Sequence, residues 1–159
     1  MVSYQPMTED DLRELYVFAA PIWRECYKEV LPAGQIDLLT HKYFDYKNAR
    51  AIRESGMVYE YVLHNGETAG FAAYQPKEDH VYLDKLYLKK EFRGQHISSA
   101  VFDDLIARFV LPLRLNVNQG NTLGMRAYLS RGFRIIETIE IPLPNGYVNR
   151  DYIMEKPVA

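Results

Sequence analysis

Hydrophobic and polar residues alternate in some segments of this chain and recur every three or four residues in others, which predicts a mixture of strands and helices. Residues Val2–Gln5 alternate as a short strand. Thr8 followed by Asp11 is an acidic variant of the capping box, and it opens a helix in which Pro21 is a candidate kink. The apolar face of this helix consists of Leu12, Leu15, Tyr16, Ala19, Ile22 and Trp23.

The middle of the chain changes from helical to strand patterns. "GQIDLLTHKYF" and "DYKNARAIRES" predict two short helices, the second ending at Gly56. "MVYEYVLHNGETAGFAAYQ" predicts two strands joined by a type I′ turn at Asn65-Gly66. "HVYLDKLYLK" predicts another strand, and residues His96–Phe109 follow as a helix with an apolar stripe at every fourth position.

The last third of the chain predicts a strand, a helix and two more strands. Leu113 opens the strand, and Asn121 caps a helix that ends before Gly132. The two closing strands are joined through the turn at 144–146. This order predicts a mixed α/β fold in one domain over residues 1–159, with a mostly antiparallel sheet and helices on its faces.

Composition and charge narrow the class of protein. The 159 residues are 48% hydrophobic and 25% charged, with a net charge of −2, so clustered cations for nucleic acid are not expected. No apolar run approaches the roughly 20 residues that span a bilayer, and the N-terminus lacks a signal pattern, so a cytoplasmic location without a membrane is expected. A single cysteine excludes an internal disulfide, and the scattered histidines suggest no metal site.

The segment "EFRGQHISSA", residues 91–100, joins a strand to a helix. A helix N-terminus leaves four N–H groups without partners and carries about half a positive charge, so it can bind phosphate. Arg93 can add a charged hydrogen bond, and Ser98 and Ser99 can donate from the first turn. Taken alone, these three side chains favour an ordinary cap that solvates the helix start.

Two segments together carry a more specific resemblance. "LYLKKEFRGQHIS" resembles the acyl-CoA signature of the GNAT superfamily of N-acetyltransferases, with His96 and Ser98 in place of the usual glycines. "LNVNQGNTLGMRAYLSRGF" resembles the later segment of the same family through Asn121, Tyr128 and Phe133. Because glycine is not itself the ligand, the backbone amides can still form the cradle, and a left-handed His96 would cost only about 1–2 kcal/mol.

The resemblance implies an acetyl-CoA-dependent N-acetyltransferase with a GNAT-like sheet in which one strand pair splays apart. It implies that the pantetheine arm of acetyl-CoA bonds to the main chain of the Leu86–Leu88 strand, and that the N–H near Leu86 polarises the acetyl carbonyl. The remaining residues that it assigns to the cofactor are Tyr87, Arg93, Gly94, Gln95, His96, Ile97, Ser98, Ser99, Asn121 and Tyr128.

Two residues are predicted to move protons. Tyr128 stands at the family's general-acid position, and because a phenol titrates near 10 and a thiol near 8.5, we expect it to donate a hydrogen bond to the departing thiolate. Asp84 is the candidate base, through a water molecule, and its offset of two from Leu86 predicts that both side chains share one face of the strand. Alternatively, Asp84 is a surface carboxylate beside Lys85.

The resemblance to polyamine and other small-amine N-acetyltransferases predicts a primary amine of a small molecule, polyamine or amino-acid-like, as the acceptor. Glu25, Tyr27, Asp84 and Asp151 are the residues predicted to bind it. Two alternatives stay open: a weakly catalytic acyl-CoA-binding or regulatory domain, and an enzyme for protein or peptide N-termini. Members of the family often dimerise, so a homodimer is also expected.

Overall fold

A seven-stranded sheet runs through the computed structural model, which describes all residues from Met1 to Ala159. Its strands are β1 (Val2–Pro6), β2 (Val58–His64), β3 (Glu67–Pro76), β4 (Val81–Leu88), β5 (Leu113–Asn118), β6 (Arg134–Pro142) and β7 (Val148–Lys156). They lie in the order β1-β2-β3-β4-β5-β7-β6. Every neighbouring pair is antiparallel except β4 and β5.

The parallel pair β4–β5 separates partway along its length. Residues Val81–Leu83 pair with Leu113–Leu115, and the strands are unpaired beyond that point. The carboxyl-terminal half of β4 therefore has main-chain groups with no partner on the β5 side. The predicted fold class, a mostly antiparallel sheet with a splayed strand pair, is confirmed.

Helices cover both faces of the sheet. They are α1 (Glu9–Arg13), α2 (Leu15–Tyr27), α3 (Ala33–Phe44), α4 (Tyr46–Glu54), α5 (Ile97–Phe109) and α6 (Thr122–Ser130). Ile97, Val101 and Leu105 of α5 are buried against one face, as the apolar stripe predicts. Leu15 and Leu39, from α2 and α3, are buried against the other face. None of these helices is both long and apolar enough to cross a membrane.

The first predicted helix is two helices. The capping box at Thr8 and Asp11 is confirmed, but α1 ends at Glu14, whose φ of −102° and ψ of 4° depart from helical values. The chain therefore turns at Glu14, while Pro21 lies inside α2. Leu12 and Leu15 are both buried on either side of the break, because the change of direction lets each helix present its own apolar face to the sheet.

The predicted turns and caps agree with the structure. Asn65 and Gly66 have φ values of 51° and 84°, and two positive φ values are what a type I′ turn requires. The Asn121 side chain accepts a hydrogen bond from the Gly124 N–H at 2.9 Å and so caps α6. These local features place α5 and α6 beside the opening between β4 and β5.

Candidate active site

A cavity of about 240 Å³ lies where β4 and β5 separate, and we call it the splay cavity. One wall is formed by Leu86, Tyr87 and Leu88 of β4, the residues that the sequence resemblance assigns to the pantetheine arm. The opposite wall includes Asn121 and Tyr128 of the α6 segment. The two segments of the predicted family signature, which lie some distance apart in sequence, therefore meet across one cavity.

The turn that enters α5 presents a row of free amides. No backbone N–H from Gly94 to Ser99 donates to another group of the chain, and the first main-chain bond of the helix is from Ala100 to the His96 carbonyl, at 3.2 Å. Consecutive free N–H groups at the start of a 13-residue helix form an anion site. The geometry therefore fits a diphosphate at the place that the sequence predicts.

Arg93 is anchored within the protein beside this turn. Its Nε donates to the Leu88 carbonyl at 3.2 Å, and its two terminal nitrogens donate to Glu25 at 3.2 Å and to the Cys26 sulfur at 3.1 Å. A guanidinium has five N–H donors, so two remain for an anion. Arg93 thus joins the turn, the end of β4 and the end of α2.

The two positions that lack the family's glycines differ in backbone conformation. His96 has a φ of 61° and a ψ of 17°, which is left-handed, whereas Ser98 lies inside α5 and needs no glycine. Ser98 lines the splay cavity, but the Ser99 hydroxyl accepts a hydrogen bond from Arg131. The Gln95 side chain donates to the Glu91 carbonyl at 3.0 Å, so it braces the turn.

Replacing His96 by glycine should keep or strengthen binding of acetyl-CoA, the cofactor that the sequence resemblance implies. Glycine removes the left-handed penalty of about 1–2 kcal/mol, offset in part by about 0.5–1 kcal/mol of lost chain entropy. Calorimetric titration measures the binding of acetyl-CoA, and thermal unfolding measures the change in stability. His96→Ala is the matched control, because it removes the imidazole and keeps the backbone cost. Loss of binding in His96→Gly but not in His96→Ala would contradict an amide cradle.

Tyr128 faces the splay cavity without a hydrogen-bond partner in the chain. Its ring packs against Phe102 and Phe133, with centroids at 5.9 Å and 5.5 Å. Burial raises the pKa of Tyr128 to about 12, helped by the neighbouring Cys26 thiol and opposed by Arg131. The hydroxyl is therefore a permanent donor at neutral pH.

A second cavity, of about 260 Å³, lies on the α2–α3 side of the sheet and is lined by five aromatic side chains; we call it the aromatic cavity. These are Trp23, Tyr27, Tyr43, Tyr82 and Tyr87. The aromatic and splay cavities share Tyr27, Asp84, Tyr87 and Asn116. The two cavities therefore adjoin at these four residues.

Asp84 lies at this junction, but not in the orientation predicted. Ala73 pairs with Lys85 and Tyr74 with Leu83, so Asp84 is the extra residue of a β-bulge. Leu86 packs with the α5 face, whereas the Asp84 carboxylate accepts from Lys85 Nζ at 2.7 Å on the α3 side. The prediction that Asp84 and Leu86 share a face is wrong, because the bulge breaks the alternation.

Lys85 is buried and held on two sides. Its Nζ lies 3.9 Å from the centroid of the Tyr43 ring as well as 2.7 Å from Asp84, and its side chain is 7% exposed. The carboxylate side chain is 24% exposed, so it still reaches the cavities. Asp84 is therefore not the surface carboxylate of the alternative interpretation, because it lines both cavities and pairs with Lys85 there.

Asp151 lines the aromatic cavity, as expected of an acceptor-binding residue. It is 8% exposed and accepts a hydrogen bond from Asn116 Nδ2 at 3.3 Å. Burial raises the pKa of the Asp151 carboxyl, against the lowering effects of this bond and of the Lys85 charge. Asn116 in turn accepts from the Tyr82 hydroxyl at 3.0 Å, so it orients both neighbours.

The two remaining predicted acceptor residues occupy different places. The Tyr27 hydroxyl lies 2.8 Å from the Tyr87 hydroxyl, between the two cavities. Glu25 lines neither cavity, because its carboxylate pairs with Lys28 at 3.3 Å and Arg93 at 3.2 Å. Hydrogen bonds from Lys28 and then Arg93 lower the pKa of the Glu25 carboxyl. Glu25 thus supports the turn that enters α5.

Sequence reasoning did not select several residues of the site. In the sequence, Asn116 and Tyr82 are ordinary polar and aromatic positions of alternating strands, and Lys85 is only the neighbour of Asp84. Cys26, the single cysteine, also lines the splay cavity. Burial raises the pKa of the Cys26 thiol, with Arg93 opposing, which keeps it a poor nucleophile. The one available signal was the run of polar residues at 114, 116 and 118 on one face of β5.

Known proteins share this architecture. Residues 16–133 match the profile of the Acetyltransferase (GNAT) family. A PaiA N-acetyltransferase from Thermoplasma acidophilum, solved with coenzyme A, aligns with 18% identity and a TM-score of 0.73 over 99% of both chains. A ribosomal-protein-alanine N-acetyltransferase from Brucella melitensis aligns with 20% identity and a TM-score of 0.64, covering 98% of this chain and 99% of that one.

An aminoglycoside acetyltransferase, AAC(6′)-Ib with coenzyme A, is also similar, with 17% identity and a TM-score of 0.65 over 99% of this chain and 95% of that one. A search of curated proteins by sequence finds no match. The family match spans most of the chain and includes the splayed strands and the free amides of residues 94–99. The chain belongs to the GNAT family and is an acyltransferase that uses acetyl-CoA.

Proposed function

We propose that this enzyme transfers the acetyl group directly to the primary amine of a small molecule held in the aromatic cavity. The observation that carries the proposal is the junction of the two cavities at Tyr27, Asp84, Tyr87 and Asn116. An acetyl group in the splay cavity and an amine in the aromatic cavity can meet there without a covalent enzyme intermediate. Closely placed reactants account for much of the rate enhancement in such ternary complexes.

The cofactor residues would act mainly through their main chain. The free amides of residues 94–99 suit the diphosphate, and Arg93 adds two unused N–H donors. The unpaired half of β4, at Leu86–Leu88, suits the amides of the pantetheine arm. Acetyl-CoA supplies a thioester whose carbonyl oxygen gains negative charge during transfer, and the N–H near Leu86 would stabilise that charge.

Proton movements would fall to Tyr128 and Asp84. The Tyr128 hydroxyl donates a hydrogen bond that stabilises the departing thiolate. Asp84, at the junction, accepts the proton from the amine through a water molecule. The ammonium first loses one proton to solvent, because it has no lone pair with which to attack. Asp84 then takes the second proton through the water as the carbon–nitrogen bond forms, and solvent protonates the released thiolate.

Asp151 would bind the ammonium form of the acceptor before it loses its proton. Asp151→Asn should lower kcat/KM for the amine by about 10–100-fold, because a charge-assisted hydrogen bond contributes about 1.5–3 kcal/mol. In the wild type, the KM for the amine should rise as the pH falls through the raised pKa of Asp151, where the carboxylate is lost. Initial rates with a fixed amine across a pH series measure both effects.

The same raised pKa predicts the opposite change in stability. The folded state favours protonated Asp151, so its contribution to stability is present at low pH and is lost as the pH rises through that pKa. Asp151→Asn should therefore raise the free energy of unfolding at neutral pH. Asp103→Asn, at an exposed position of α5, is the control and should change neither stability nor kcat/KM. A wild-type kcat/KM in Asp151→Asn would show that Asp151 does not bind the acceptor.

The test of the function is acetylation of a panel of primary amines, followed by mass spectrometry of the products. The panel should contain diamines, amino-acid amides and short peptides with free N-termini. A mass increase on a small amine, with equimolar release of free thiol, supports the proposal. Acetyl-CoA binding without transfer to any member of the panel would favour the acyl-CoA-binding alternative.

A peptide N-terminus is the second candidate acceptor, and one observation favours it. An outer cavity of about 430 Å³ adjoins the aromatic cavity and shares Leu31 and Asn118 with it. A chain attached to the amine could leave through this space. Faster acetylation of peptides than of amino-acid amides would favour this candidate over a small molecule.

The homodimer and the cytoplasmic location stay predictions. β6 is an edge strand, and Ile135, Ile136 and Ile141 on it are exposed. Such a strand can pair with another chain, and the bulge at Ile136 and the charged residues along it oppose that pairing. The mass of the protein in solution, measured by light scattering, decides between monomer and dimer.

A further inference from the structure

The charges of the aromatic cavity are nearly balanced. Of its two carboxylates, Asp84 is neutralised by Lys85 Nζ at 2.7 Å, and Lys85 is fixed in place by the Tyr43 ring at 3.9 Å. Asp151 has no ion-pair partner, because its closest polar contact is the neutral Asn116 amide. The cavity therefore has one uncompensated negative charge, which matches a single ammonium.

The outer cavity offers no site for a second ammonium. It is defined by the loop at Val30–Pro32, the loop at Asn118–Gly120 and the turn at Gly146–Val148, and no Asp or Glu lines it. Arg150, the only charged residue in its wall, pairs with Glu140 at 3.3 Å. The polar groups that remain are uncharged.

Those uncharged groups match an amide. Gln35 is buried and donates to the Val148 carbonyl and to Asn149, and Gln119 and Asn118 add further amide side chains. Amides both donate and accept, so they pair well with an amide or a peptide unit. A second ammonium would instead lose its hydration without a carboxylate in return.

We propose that the acceptor carries a single primary ammonium on an uncharged, amide-containing body, and that Lys85 determines this specificity by excluding diamines and polyamines. This inference rests on the proposed function, because it assigns the substrate class of the same cavity. The sequence predicts either a polyamine or an amino-acid-like amine as the acceptor, and this inference favours the amino-acid-like amine. Lys85 acts by neutralising Asp84, which leaves Asp151 as the one carboxylate for an ammonium.

The test compares 5-aminopentanamide with 1,5-diaminopentane. The two molecules have the same length, and one end is an uncharged amide in the first and an ammonium in the second. Trp23 is the only tryptophan and lines the aromatic cavity, so its fluorescence reports binding without requiring turnover. At about pH 8 both amines are protonated. We expect the wild type to bind the aminoamide at least about ten-fold more tightly than the diamine, a difference of about 1.4 kcal/mol.

Two variants test the role of Lys85. Lys85→Met leaves Asp84 uncompensated, so the ratio of affinities should move at least about ten-fold towards the diamine. Asp84→Asn combined with Lys85→Met returns the cavity to one negative charge and should restore a preference for the aminoamide. This double variant lacks the Asp84 charge that Lys85→Met leaves unpaired, so it serves as the test if Lys85→Met does not fold, and a preference for the diamine in it would overturn the inference.

The outcomes separate this inference from the proposed function. Equal or tighter binding of the diamine by the wild type, or an unchanged ratio in Lys85→Met, overturns the specificity. Acetylation is measured in parallel by release of free thiol. If fluorescence shows tighter binding of the aminoamide but neither amine is acetylated, the proposed transfer is wrong and the binding specificity is supported. Acetylation of both amines at equal kcat/KM retracts only the specificity.

Discussion

Replacing Tyr128 by phenylalanine should lower kcat for acetyl transfer by about 100-fold, while the Kd for acetyl-CoA changes by less than about three-fold. General acid–base groups contribute about 10²–10⁴ to a rate, and we place Tyr128 at the low end because it donates without completing the transfer. The hydroxyl has no partner within the chain and faces the splay cavity, so its loss leaves no unpaired group behind. Initial rates of thiol release measure kcat, and calorimetry measures the Kd for acetyl-CoA.

The raised pKa of Tyr128 defines what it does. A phenol near 12 and a thiol near 8.5 differ by roughly 5 kcal/mol, so full proton transfer to the thiolate is unfavourable inside this site. A hydrogen bond that strengthens as the thiolate forms has no such cost. We therefore expect no loss of kcat from tyrosine ionisation as the pH rises to about 10.

Tyr152→Phe is the matched control for this experiment. Tyr152 also packs, partly buried, against the core on the α5 face, but it lines neither cavity. Its replacement should leave kcat unchanged. Wild-type kcat in Tyr128→Phe would show that the aromatic packing with Phe102 and Phe133 is the whole role of Tyr128.

Asp84→Asn should have two effects of different origin. Turnover should fall by about 100-fold if Asp84 accepts the proton through water. The free energy of unfolding should also fall by about 2–3 kcal/mol, because Lys85 is left buried without a counter-charge. This loss is smaller than for a fully buried pair, since the Asp84 side chain is 24% exposed and an amide oxygen still accepts from Lys85.

The double variant Asp84→Asn with Lys85→Met separates the two effects. Removing both charges should return most of the lost stability, because replacing a buried ion pair by uncharged groups is often neutral. Turnover should stay low. If stability and turnover return together, Asp84 serves only to neutralise Lys85, and the base is another group or bulk water. Thermal unfolding and initial rates on the same preparations give the comparison.

Local chemistry explains which elements could be predicted from the sequence. The cap at Thr8, the turn at Asn65-Gly66 and the stripe that begins at Ile97 each depend on residues within a few positions of one another. The turn that enters α5 belongs to the same class, because its free amides follow from the helix start alone. Its unusual side chains changed only the backbone of His96, which is left-handed.

The bulge at Asp84 shows why the rest of the site could not be predicted. In "VYLDKLYL" the adjacent polar residues Asp84 and Lys85 interrupt the apolar pattern, but only the register against β3 shows that an extra residue is inserted there. That insertion turns Asp84 towards Lys85 and Tyr43, away from the face of Leu86. A strand's partner is chosen by distant residues, so its own sequence does not specify the shift.

The order of strands and helices and the free amides at the start of α5 could be predicted from the sequence, because each follows from short-range periodicity or turn chemistry. The separation of β4 from β5, the residues that join the two cavities, and the pairing of Lys85 with Asp84 but not with Asp151 depend on the packed fold. Those features bring together α2, α3, β4, β5 and β7, and such long-range contacts form only when the whole sheet has packed between its helices.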